Sequence, residues 1–352
     1  MGVYLAINGL AIMKKISQRL STRQFRIAIS LLISIFSLYL ALRNVDIQEV
    51  RYAISESRWG FIALAFLFVI INNLIKSERW QILLTTAVRT IRFSKTFMVF
   101  MIGQMFNNLL PARFGELSRI MLMGGKELRY SFVVGTLMVE KSLDVISYSL
   151  IILVTVLLIP IPEWLNEPVY MVLALSLFVL IALLIVIYYR DDLLQILKKL
   201  EGRFSMNLQS KINNFILTGM DSMEVFNNRG EVLRLAFLTA AIWGTALMIN
   251  QLVISALGLQ LPITASLLVL VALIIGISIP SLPGKIGIFE YSCVLSLSLF
   301  DVSASVAFSY GILLHIIVFS PPIIVGLISL WVLGLDQKIP DLDDNPSQDG
   351  NP

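Results

Sequence analysis

Apolar segments fill about residues 26–43, 60–76, 96–111, 131–159, 169–189, 233–256, 263–281, 285–300 and 304–334, with polar stretches between them. Runs such as IAISLLISIFSLYLAL (27–42), ISYSLIILVTVLLI (146–159) and VYMVLALSLFVLIALLIVIYY (169–189) carry no charge. A spanning helix needs roughly 20 mostly apolar residues, and a membrane β-barrel would alternate apolar and polar positions instead. The pattern predicts an all-α polytopic membrane protein.

Charge changes the picture by setting orientation. Only 14% of the 352 residues are charged, against about 25% in a soluble domain. Lysine and arginine concentrate on the cytoplasmic side. They occur at Lys14, Lys15, Arg19 and Arg23, then between 76 and 95 (Lys76, Arg79, Arg89, Arg92, Lys95), and again between 190 and 234 (Arg190, Lys198, Lys199, Arg203, Lys211, Arg229, Arg234). The loops PIPEWLNEP (160–168) and GLQLP (258–262) carry no base and are expected outside. Nine simple crossings do not satisfy these assignments. The 60–76 helix ends inside and the 131–159 helix starts inside, so residues 96–111 must enter and return on the cytoplasmic side. In the second half, 263–281 and 285–300 form a hairpin entering from outside. The expected fold is six to eight transmembrane helices with two re-entrant hairpins in an inverted repeat; plain eight- or nine-crossing topologies fit hydropathy as well.

The two hairpin tips look alike. One is Leu110-Pro111-Ala112-Arg113-Phe114-Gly115-Glu116, the other Leu282-Pro283-Gly284-Lys285-Ile286-Gly287-Ile288-Phe289-Glu290. Pro111 and Pro283 break a helix because proline lacks an N–H, and Gly115, Gly284 and Gly287 let the chain turn. Broken backbone at membrane depth survives only when buried in protein or lining a wet cavity. Matching breaks in two halves of opposite topology point to a transporter's binding site.

GQMFNNLLPARFGELSR (103–119), VEKSLDV (139–145) and SLPGKIGIFE (281–290) resemble the lysylphosphatidylglycerol synthase transmembrane-region family, also called flippase-like or UPF0104, over about residues 25–335. Ala112 stands where that family often has Gly, Lys141 where it has Arg, and Lys285 where it often has Gly. The resemblance implies moving or handling lipids at the cytoplasmic membrane. Bifunctional members add a soluble aminoacyl-transfer domain; after residue 335 this chain has only the acidic stretch DQKIPDLDDNPSQDGNP, so lysyl transfer is not expected. The expected organisation is a basic cytoplasmic N-terminus (1–25), a membrane domain (26–335) with halves 26–189 and 233–335 joined by an amphipathic cytoplasmic loop (190–232), and a disordered tail (336–352). Both termini are expected in the cytoplasm, and the membrane is expected to be the inner one.

Charges inside the membrane are expensive and mark function by default. Arg113, Glu116 and Arg119 are spaced by three and share a helix side, and Glu116 is expected to hold an arginine whose fork suits phosphate oxygens. Glu140 and Asp144 form an i,i+4 pair, with Lys141 between them and Ser147 and Tyr148 continuing the stripe. Three unpaired charges would cost roughly 8–10 kcal/mol at about 2.5–3.5 kcal/mol each, so partners are required, with Arg113 or Arg119 the natural ones. The alternative is a salt-bridge cluster with a purely structural role. Lys285 and Glu290 are expected to mirror this site, Asn107 and Asn108 to offer head-group hydrogen bonds, and Asn72 and Asn73 to be weaker candidates. The single histidine, His315, is expected to be a packing residue before a proton relay. Cys293 is the single cysteine, so no internal disulfide forms. No metal cluster, cofactor or nucleotide-binding loop is evident, and the net charge of +4 gives no reason to invoke nucleic acid. The function expected is lipid binding and translocation through a polar groove. A membrane-embedded transferase on a lipid-linked sugar, or a scaffold for envelope glycosyltransferases or lipid-modifying enzymes, are the rivals.

Overall fold

The computed structural model describes residues 30–86, 91–110, 114–125, 128–160, 163–189, 218–276, 278–279 and 282–336. Pro111, Ala112 and Arg113 of the first tip lie outside them. So do the N-terminal residues 1–29, most of the expected amphipathic loop (190–217) and the tail from 337 on.

The described residues form helices and short 3₁₀ turns, with no strand among them. In order they are α1 (Ser30–Leu42), α2 (Ile47–Ser55), α3 (Trp59–Leu84), α4 (Phe93–Leu109), α5 (Phe114–Met123), α6 (Tyr130–Leu158), α7 (Glu163–Tyr188), α8 (Arg229–Ala256), α9 (Ile263–Gly276), α10 (Ile288–Leu297) and α11 (Ala304–Asp336). Among these, α3, α6, α7, α8 and α11 are long and apolar enough to cross a membrane, and α1 with α2, bent by 82°, would make a sixth. The chain is a multi-pass membrane protein.

The remaining helices are short. At about 1.5 Å per residue, α4 is about 26 Å long, α9 about 21 Å, and α5 and α10 about 15 Å each, against a hydrocarbon core of about 30 Å. Each short pair folds back on itself. Gly103 of α4 faces Arg119 of α5, and Asn107 faces Gly115, an antiparallel register. Gly276 of α9 faces Ile288 and Ser292 of α10.

One boundary differs from expectation in a way that matters. The segment expected to end at residue 76 continues as α3 to Leu84. No glycine or proline interrupts Lys76-Ser-Glu-Arg-Trp-Gln-Ile-Leu-Leu84, and Ser77, Arg79, Trp80, Leu83 and Leu84 all bury. The charges there are helix residues, not loop residues.

Helix α3 is the axis of the fold. It runs antiparallel to α8: Arg58 N–H donates to the Ala256 carbonyl at one end (2.8 Å), and Glu78 pairs with Arg234 at the other. Midway, Asn72 Nδ2 donates to the Ile242 carbonyl and to Thr245 Oγ1, each at 2.7 Å. One apolar core gathers around the start of α3 with α8, α9, α10 and α11 (Ile62, Val69, Val253, Val269, Phe289, Leu314). A second gathers around its end with α4 and α6 (Trp80, Leu83, Phe100, Phe132, Val139). Helix α11 lies along α4 at backbone contact, with Gly326 against Met101 and Met105.

Candidate functional site

The first hairpin closes because its backbones touch. A Cβ on Gly115 would sit 2.0 Å from the Gly103 carbonyl oxygen, so only glycine fits. Asn107 Oδ1 accepts the Gly115 N–H at 2.9 Å. This asparagine therefore pins the start of α5 back onto α4. Asn108, half-buried beside it, makes no side-chain hydrogen bond among the described residues.

Closing the hairpin delivers Arg119 to the face of α6. Its two terminal nitrogens donate to the two oxygens of Glu140 at 3.1 and 2.5 Å, a bidentate pair in which the side chains are only 3% and 5% exposed. The guanidinium is covered by aromatic rings, with its carbon 4.0 Å from the Trp80 ring centre and 4.8 Å from that of Phe100. Trp80 is held in turn by Thr136, whose hydroxyl accepts the indole N–H at 3.2 Å. Such a pair forms only because bidentate geometry and ring stacking offset desolvation.

A second pair lies one turn further along α6. Arg79 of α3, 2% exposed, meets Asp144 at 2.5 Å. Lys141 links Asp144 to Glu116 of α5 toward the surface: it lies 3.5 Å from Glu116 and 4.0 Å from Asp144, and is 44% exposed. Lys76, one turn before Arg79, acts electrostatically on Asp144, Arg79, Lys141 and Glu140 and has no hydrogen-bonded or ion-paired partner among the described residues. At helical rise, Glu140 and Asp144 stand about 15 and 21 Å in from the start of α6. Four cations and three carboxylates thus form one cluster between α3, the α4–α5 hairpin and α6, leaving one positive charge in excess. Arg79 Nε, Arg119 Nε and Glu116 Oε2 are buried there without a hydrogen-bond partner among the described residues.

The pairing differs in detail from expectation. Arg119 does partner Glu140, but Glu116 takes Lys141 rather than an arginine, because Arg119 points across to α6. Asp144 takes Arg79, which the loop assignment of residues 76–95 had hidden.

The second tip is built on α1. Leu282 N–H donates to Ser34 Oγ at 2.9 Å. Gly287, at φ 90°, brings its Cα so close to α1 that an added Cβ would lie 2.4 Å from the Ser34 carbonyl oxygen. Gly284 and Lys285 also take left-handed conformations, at φ 77° and 60°. The turn Pro283–Lys285 packs against α4, so the two hairpins meet. Glu290 caps its own helix: Oε2 accepts the Gly287 N–H at 2.7 Å. Its other oxygen lies 2.5 Å from Nδ1 of His315 on α11. Lys285 and Glu290 both lie at the second tip, where Glu290 pairs with Gly287 N–H and His315. His315, expected as a packing residue, is a partner of Glu290. Its ring also packs between Phe289 and Phe319.

Three site features were not read from the sequence. Arg79 and Lys76 were masked by a helix boundary, and the absence of any helix breaker between 76 and 84 was the signal available. Trp80 in SERWQ gave no pattern of its own.

The comparisons agree with the architecture. The model of the lysylphosphatidylglycerol synthase transmembrane region matches residues 27–326. A UPF0104 membrane protein from Methanocaldococcus jannaschii is 23% identical over 325 residues, covering 87% of this chain and 94% of its own. The match takes in both hairpins and the charged cluster, and the chain belongs to the lysylphosphatidylglycerol synthase transmembrane-region family.

Proposed function

We propose that the protein binds a lipid by its head group at the charged cluster between α3, the α4–α5 hairpin and α6, and translocates it across the cytoplasmic membrane while the acyl tails remain in the bilayer. The observation that carries this reading is the cluster of seven charged side chains packed among apolar helices, with one cation in excess and Lys141 44% exposed. Purely structural ion pairs would need no surplus charge and no exposed member. An excess cation selects an anionic group, and the phosphate shared by phospholipids and lipid-linked intermediates fits. The family's name, which refers to a phosphatidylglycerol derivative, points to the same class of molecule. The two inward-folded hairpins, with similar tips that meet through α4, are read as the inverted repeat that frames the path. Arg113 lies outside the described residues and is proposed on its sequence alone as a further head-group ligand. Envelope enzymes that make or consume the lipid are the expected protein partners.

The test separates binding from folding by sparing the buried pairs. Protein purified in native-lipid nanodiscs is compared with the Lys76→Gln, Lys141→Gln variant, and the retained lipids are identified by mass spectrometry. One anionic lipid class is expected to be enriched with the wild type and to fall to its bulk abundance with the variant. Bulk composition in both would overturn the head-group site.

A further inference from the structure

The two carboxylate sites of this molecule have unlike partners. Glu140 and Asp144 face guanidiniums, which do not release their protons in proteins. Glu290 faces an imidazole, the side chain that exchanges a proton near neutral pH. We propose that Glu290 and His315 form a proton-binding site that sets how firmly the second hairpin tip is held.

The geometry supplies both halves of this inference. One carboxylate oxygen meets His315 Nδ1 at 2.5 Å, and the other accepts the Gly287 N–H at 2.7 Å. The proton site and the anchor of the tip are thus one carboxyl group. Gly287 is where the backbone of the tip comes closest to α1, against the backbone of Ser34 and Leu38, beside the Leu282–Ser34 hydrogen bond. When the imidazole takes up one proton from water, the pair becomes imidazolium–carboxylate, and the new positive charge draws the shared carboxylate toward His315 and weakens its hold on the Gly287 N–H. When a proton reaches the carboxylate, that acceptor weakens and the tip loosens. Each event moves one proton between the pair and the aqueous phase, and no other reactant takes part.

Few other charges act on the pair. Lys285 lies on the tip itself. Cys293, one turn along α10, is buried and electrostatically coupled to Glu290. Tyr310, on the α11 face toward Cys293, gives its hydroxyl to Asn250 Oδ1 at 2.7 Å. Tyr291 points the other way, into the cluster with Leu38 and Phe308. Helix α9 has no titratable residue, α1 has only the exposed Tyr39, and Lys95, the cation of α4, stands at its far end. Asp46, Glu49 and Asp301 gather at the 303–305 end of α11, about 15 Å from His315 along the helix. Lys285 on the tip is half-buried, and the His315 side chain retains 14% of its surface.

The chain has one histidine, so the experiment reads a single site. Protein carrying ¹³C,¹⁵N-histidine in nanodiscs is titrated by NMR, and hydrogen exchange of residues 282–290, corrected for intrinsic rate, is followed over the same pH series. The imidazole signal is expected to respond reversibly to pH. Its midpoint is expected to move in Glu290→Gln, which removes the charge in contact with the ring. Tip exchange is expected to change with the same midpoint in the wild type. In His315→Gln, which keeps a hydrogen-bonding side chain, it is expected to lose that midpoint. A signal that stays constant from pH 4 to 9, or a midpoint unmoved in Glu290→Gln, would overturn the proton site. Tip exchange indifferent to pH while the imidazole titrates would overturn its link to the tip. None of these outcomes depends on which lipid the charged cluster binds.

Discussion

Replacing Glu140 by methionine strands the Arg119 guanidinium in a space where it is 3% exposed and stacked on Trp80 and Phe100. Removing one partner of a buried, hydrogen-bonded ion pair costs about 3–5 kcal/mol, because the remaining charge stays desolvated. Arg119→Met removes the other partner. It is expected to cost a similar amount, plus about 1–2 kcal/mol for the cation–π contacts. The double variant leaves neither charge. Two methionines of flexible shape then fill the gap beneath Trp80, and its cost is expected to be only about 0–2 kcal/mol, since apolar replacement of a buried pair is often near neutral. The coupling energy is therefore about 5 kcal/mol or more. Loss of helical circular dichroism during an SDS titration in mixed micelles measures each stability. Singles costing under about 1 kcal/mol, or a double variant as unstable as the sum of the singles, would refute the pairing. The cycle also separates fold from function, because a double variant that folds but retains no lipid places the pair in the head-group site.

Two further substitutions probe how the site is positioned. Gly115→Ala forces a methyl within 2.0 Å of the Gly103 carbonyl; it should cost about 1–3 kcal/mol by overpacking despite alanine's better helix propensity, and a melting temperature equal to wild type would refute the close approach. Asn72→Leu removes two 2.7 Å hydrogen bonds between α3 and α8, and interhelical bonds in membranes contribute about 0.6–1.7 kcal/mol. A loss in that range is expected in the same SDS titration, since Thr245 keeps its bonds to the α8 backbone, and no loss would remove the clamp from the account.

The membrane class and most helix positions were legible because hydrophobicity over twenty residues is a summed signal that single residues cannot erase. The boundaries that failed are those where charge and burial conflict. Residues 76–84 hold Lys76, Glu78 and Arg79, which look like a loop between spans; yet their neighbours Ser77, Trp80, Leu83 and Leu84 bury on one helix. Hydropathy averages a buried arginine into the same score as a solvated one, and only its partner distinguishes them. That partner, Asp144, is 65 residues away in sequence, so no local pattern names it. The acidic side was easier: Glu140 and Asp144 stand inside an apolar run, where an unmatched charge demands an explanation. His315 shows the same limit from the other direction. Its neighbours are apolar on both sides, so alone it resembles a packing residue, and its role depends on Glu290 arriving from α10, 25 residues earlier. In a membrane bundle the cost of a buried charge is local, while the contact that offsets it is tertiary. Sequence therefore locates the charge that needs a partner more readily than the partner that answers it.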